Sequence, residues 1–249
     1  GNPKEERKRH RMTRRNERAV RYISPVFHAI HPIHTDQPEE DVLLMDLNFL
    51  STSAEAIMHV PSFAEWLNEQ DPLPAYEDES RLLKLLQWQK NGKYWILKSP
   101  HHLEFMQAMA EVLPVHGFVW THRALKECIP SFMSMIYYSR AMFSDEVNVT
   151  TISDHWVPKM GNMIKNGLHY RSQYPDKVCD VNFYELMNDA GNELKKVARR
   201  FPGTLPMQPS IPRESYTSKH QYRKSDWPIS AALWETAFSD YDKYYEQKR

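Results

Sequence analysis

Cysteine is nearly absent: Cys128 and Cys179 are the only two in 249 residues. So few thiols exclude a disulfide framework and a cysteine-based metal site, and they fit a reducing compartment such as the cytoplasm. Glycine is scarce as well. The seven glycines stand at 1, 92, 117, 161, 167, 191 and 203, and no two are close enough to build a phosphate-cradling turn. No apolar run approaches the roughly 18 to 20 residues of a membrane span, so none is expected. Net charge is lacking too, since Lys+Arg and Asp+Glu both count 32. Without an overall cationic field, non-specific nucleic-acid binding is not expected, and any anion site must be local.

What is present is enough apolar content, 41% of residues, to bury a sizeable core. A single α/β domain over residues 1–249 is the expectation: mainly helical to residue 92, a βα core over 93–202, and a loop with a closing helix over 203–249. The stretch from Lys4 to Arg21 is dense in Lys and Arg but carries Glu5, Glu6 and Glu17, and reads as a solvated helix face. Pro38 with Glu39, Glu40 and Asp41 signals a helix start. An apolar run follows from Val42 to Val60, and Pro61 stops it. Further helices are expected over 62–68 and 75–89.

From Lys93 the pattern becomes short apolar runs alternating with amphipathic segments, the mark of βα units. Strands are expected at Tyr94–Leu97, Gly117–Thr121 and Val178–Asn182. Helices are expected at 103–113, 126–142, 153–173, 184–201 and 228–246. In open α/β sheets, ligands sit beyond the carboxyl ends of the strands. Each strand exits into polar groups there: Lys98-Ser99-Pro100-His101-His102, His122-Arg123, and Asn182-Phe183-Tyr184. Arg123 and Ser131 lie about two helical turns apart, which places a guanidinium and a hydroxyl within reach of one anion. Pairing of Arg123 with a nearby carboxylate is the equally weighted alternative. His31 and His34 have helix-like spacing without a third ligand, so no metal is expected. Met133, Met135, Tyr137, Tyr138, Met142 and Phe143 read as core first and as an apolar cleft second.

The segments Trp95 to Leu103 and Phe118 to Arg123, followed by Ser131, resemble the central signature of sulfotransferases that use 3′-phosphoadenosine 5′-phosphosulfate (PAPS). They are similar to the branch written LKSPxHL and THR…S. The likeness extends to His31-Pro32 with Pro38-Glu39-Glu40, to Asn182 through Leu186, and to Ser218-Lys219-His220-Gln221-Tyr222. It implies a P-loop-like three-layer fold with a central parallel sheet and many flanking helices. It also implies sulfuryl transfer from PAPS to a hydroxyl of a small, lipophilic acceptor, leaving adenosine 3′,5′-bisphosphate. By the same resemblance Arg123 and Ser131 hold the 3′-phosphate, Tyr184 lies near the adenine, and Lys219 belongs to a basic loop over the nucleotide. His102 matches the fixed histidine and is the first candidate for the base; His101 takes the variable position, and Lys98 is placed to stabilise charge. The family's phosphosulfate loop, rich in Gly, Ser and Thr, has no counterpart here, and the expectation is that the numbered sequence starts after it. Two alternatives stay open: the fold recruited to an acid/base cyclisation or dehydration run by His101 and His102 without nucleotide, and a non-catalytic scaffold. A homo-oligomer is allowed by the sequence, which does not decide it.

Overall fold

Helix α1 (Pro3–Ile23) begins where local chemistry tells it to. The Asn2 side chain accepts the Lys4 amide at 3.0 Å, Pro3 takes the first helical position, and Glu5 and Glu6 meet the positive end of the dipole. Ser24 and Pro25 then end α1 and start α2 (Pro25–Ile30). This computed structural model describes residues 2–88, 92–205 and 226–248.

The run from Val42 to Val60, expected as one helix, is broken into three pieces. Helix α3 (Val42–Met45) passes into a 3-10 turn over Asp46–Asn48, and α4 (Ser53–Ile57) restarts after it. Polar side chains compete with the helix for backbone and for one another. Asp46 takes the Ser51 hydroxyl, while Asn48 accepts the Leu50 amide at 3.1 Å and donates to Asp78 at 3.1 Å. Phe49 is left at φ 62, a conformation unusual for a bulky residue. Helix α3 also starts later than Pro38, because the Asp41 carboxylate is taken by the amide of Lys98 at 2.7 Å and Glu40 by its ammonium.

Helices α5 (Pro61–Asn68) and α6 (Leu73–Gln87) follow, close to expectation. The expected strand at Tyr94–Leu97 is not formed. A strand needs a hydrogen-bonded neighbour, none pairs with this segment among the described residues, and Ile96 stands 81% exposed. Pro100–Leu103 makes a 3-10 turn, and α7 (Met106–Val112) is correspondingly shorter than expected.

Strand β1 (Phe118–His122) pairs in parallel with β2 (Val178–Asn182), from Phe118 opposite Val178 to His122 opposite Asn182. Parallel strands need a long crossover. Here it contains α8 (Leu125–Arg140) and α9 (Val149–Gln173). Beyond β2, the single helix expected over 184–201 is two, α10 (Phe183–Asn188) and α11 (Ala190–Arg200). Asp189 causes the break, since its carboxylate caps a new start by accepting the Asn192 amide at 3.0 Å. Helix α12 (Ala231–Lys248) closes the chain. The architecture is mixed α/β, mostly helical with a parallel sheet, as the resemblance implied.

Two compact units divide these elements. Among described residues, the first takes 2–88, 92–101, 130–154 and 226–228, and the second 102–129, 155–205 and 229–248. In the first, buried Arg140 donates to the Glu55 carbonyl at 2.6 Å and Ser139 to that of Ala56 at 3.0 Å, satisfying α4 carbonyls that its own short helix cannot. In the second, Cys179 and Val181 of β2 pack on Val197 and Phe201, and Val178 on Met106 and Tyr170.

Candidate functional site

Arg123 leaves β1 in the second unit, and its surroundings decide what it can do. Its Nε donates to Glu127 Oε2 at 2.9 Å, and its Nη2 lies 2.8 Å from the same oxygen. The pair is one helical turn apart, the spacing at which side chains on a helix meet. The guanidinium also lies over the Phe183 ring, 4.5 Å from its centroid. Burial alone would lower its pKa, but the Glu127 hydrogen bond and charge outweigh that and raise it. Tyr184 follows Phe183, with an exposed ring; burial first, then the Glu127 carboxylate, pushes its phenol up. Asn182 sets both rings, because its side chain caps α10 by accepting the Tyr184 amide at 2.9 Å. The structure thus brings Arg123 and Tyr184 together around one carboxylate.

Behind Arg123 lies a buried network that the sequence did not disclose. His122 is 3% exposed; its Nε2 is 3.1 Å from Asp180 Oδ1 and its Nδ1 is 3.0 Å from the Tyr241 hydroxyl. A carboxylate can only accept, so the proton of that contact belongs to Nε2. Arg171 binds both carboxylate oxygens of Asp180, Nε at 2.9 and 3.0 Å and Nη2 at 2.5 Å. Burial would raise the Asp180 pKa, yet the hydrogen bonds from His122 and Arg171 win and hold it well below the carboxylate range. The Tyr241 hydroxyl also reaches the Arg123 carbonyl at 3.5 Å, so the network grips the strand exit from which the guanidinium projects. One signal was readable: Asp180 is a lone charge inside the apolar strand VCDVN, where a buried carboxylate demands a partner.

Lys98, His101 and Ser131 belong to the first unit. Lys98 sends its ammonium to Glu40 and its amide to Asp41, and the His101 amide donates to Ser99 Oγ at 3.2 Å. Near Asp41 lies Glu79, a carboxyl 1% exposed whose pKa is raised to about 9, by burial first and then by the neighbouring Asp41. The first unit therefore keeps a protonated acid beside the carboxylate that anchors the Lys98 backbone. His102, in the second unit, is buried, and its carbonyl accepts the Phe105 amide at 3.0 Å. Met133 is core and Phe143 exposed. His34 lies 3.4 Å from Glu17. Lys219 lies outside the described residues.

Arg123 at the exit of β1 and Tyr184 just beyond β2 present a guanidinium and an exposed aromatic ring at the sheet edge where open α/β folds bind ligands. The model of the Sulfotransferase family matches residues 2–205. Among solved structures, sulfotransferase STF1 from Mycobacterium tuberculosis H37Rv superposes with a TM-score of 0.71 at 24% identity, over 90% of this chain and 62% of that one. Sulfotransferase STF9 from Mycobacterium avium does so with a TM-score of 0.71 at 20% identity, over 83% of this chain and 56% of that one. These likenesses show the fold, and the chain spans less than two thirds of either structure's length. No curated protein matches the chain.

Proposed function

Because the chain belongs to the sulfotransferase family, we propose that it moves a sulfuryl group from PAPS to a hydroxyl of a small lipophilic acceptor. PAPS would supply the activated sulfuryl group; the protein supplies positioning, charge and a proton acceptor. Of the candidate nucleotide contacts Arg123, Ser131, Tyr184 and Lys219, Arg123 takes the 3′-phosphate and Tyr184 the adenine. His102 takes the acceptor's proton, a task suited to a group whose ordinary pKa lies near neutrality. His101 lies beside it in sequence, and Lys98 offsets negative charge. The two cysteines fit action in the cytoplasm.

The observation that carries this reading is Arg123 itself, half-exposed at the end of a parallel strand, with Phe183 under its guanidinium and Tyr184 next in the chain. The test is calorimetry with adenosine 3′,5′-bisphosphate on the complete protein. Binding that Arg123→Ala weakens by at least about tenfold supports the proposal, and absence of binding by the unaltered protein rejects it. With binding established, His102→Ala should leave affinity intact and remove sulfuryl transfer.

A further inference from the structure

Helix α1 is 21 residues long and buries none of them. It carries nine Lys or Arg against three Glu. Placed at 3.6 residues per turn, Lys4, Arg7, Lys8, Arg11, Arg15 and Arg18 fall within an arc of about 100°, along a helix of about 31 Å. None of these six side chains has a salt bridge among the described residues, whereas the flank toward Asp36 is neutralised: His10 lies 3.3 Å and Arg14 3.1 Å from that carboxylate. Glu17 is likewise occupied, accepting the Thr35 hydroxyl at 2.8 Å. Like charges also recur at four-residue spacing, Lys4 with Lys8, Arg7 with Arg11 and Arg11 with Arg15, which weakens the helix in water. An isolated solvated face gains nothing from that repetition; an external anionic surface relieves it.

Beside the cations stand three large apolar side chains, Met12, Tyr22 and Ile23, exposed at 59%, 89% and 63%. We propose that this face of α1 docks on an anionic phospholipid surface, lying in the headgroup plane with its arginines and lysines on phosphates and Met12, Tyr22 and Ile23 at the acyl boundary. A nucleic-acid backbone would match the cations but leave Met12 and Ile23 without an apolar environment; a bilayer boundary accepts both sets. No helix among the described residues is long and apolar enough to cross a membrane, so the contact is peripheral. The proposal stands apart from the sulfuryl-transfer reading, because none of these residues belongs to the candidate site.

The complete protein should sediment with phosphatidylcholine vesicles only when they contain phosphatidylserine, and should be released by high salt. Simultaneous Lys8→Glu, Arg11→Glu and Arg15→Glu should weaken vesicle binding by at least about a hundredfold, since each cation near such a surface contributes about fivefold. The circular dichroism spectrum should be unchanged, because α1 buries no residue. Met12→Ser with Ile23→Ser should weaken vesicle binding several-fold. Failure to sediment, equal binding to vesicles of either composition, or indifference to the triple substitution overturns the proposal. So does tight binding to a duplex oligonucleotide with vesicle binding unaffected by the apolar substitutions, which would identify a polyanion patch.

Discussion

The Tyr241 hydroxyl lies 3.0 Å from Nδ1 of His122, although 119 residues separate the two in sequence. Through that contact the closing helix meets the strand exit that carries Arg123, and Asp180 with Arg171 completes the array from the other side of His122. Its members are unequal in consequence. Tyr241→Phe removes the hydroxyl's contacts with His122 and with the Arg123 carbonyl and should cost about 1 kcal/mol in urea unfolding. Asp180→Ala leaves the Arg171 guanidinium and His122 without their shared acceptor and should cost about 3 kcal/mol.

Acid should expose the same array. Asp180 has a folded pKa below its unfolded value, so its contribution to stability is complete above about pH 4 and is lost as pH falls through the depressed folded value. Asp180→Asn should therefore flatten the acid limb of a stability-versus-pH curve. An unchanged acid limb would remove Asp180 as its source.

Glu79 has the opposite sign. Its folded pKa of about 9 lies above the ordinary 4.5, so the folded state retains a proton that the unfolded chain releases. Stability from this group is greatest below about pH 4.5 and falls by up to about 1.4 kcal/mol per pH unit until the folded value is passed. Glu79→Gln keeps the side chain's size and removes the titration. Thermal unfolding at pH 8 should show the variant more stable than the parent, with the difference vanishing near pH 4.

Glu127 competes with any phosphate for Arg123, because both are anions seeking the same guanidinium. Glu127→Gln should tighten adenosine 3′,5′-bisphosphate several-fold by calorimetry. Arg123→Ala should weaken it by about tenfold to a hundredfold, the loss of one or two charge-assisted hydrogen bonds. Equal affinities for parent and Glu127→Gln would show that Arg123 does not meet the ligand.

Gly117 precedes β1 at a point where a Cβ would stand 2.1 and 2.2 Å from two ring carbons of Phe201. The ring is buried in the β2 core and has little room to yield. Gly117→Ala should cost about 1–3 kcal/mol by overpacking, measured in urea. A variant of equal stability would mean that Phe201 repacks freely.

The amino-acid sequence by itself determined elements whose cause is local. Strand β2 reads from its apolar run, α5 from Pro61, and the Arg123–Glu127 pair was available in the four-residue spacing of a helix. The ordered motifs led to the family, because signatures in chain order survive where overall identity to solved structures is 20–24%. Tertiary structure alone decided the rest. Tyr94–Leu97 has strand composition, but a strand exists only with a hydrogen-bonded neighbour, which no property of its own residues supplies. Within the long apolar run after Asp41, Asn48 donates to Asp78, a hydrogen bond that depends on where the chain returns. His122, Asp180, Arg171 and Tyr241 are distant in sequence and became one network because burial makes every unpaired polar group costly, so each must find a partner wherever the fold brings one.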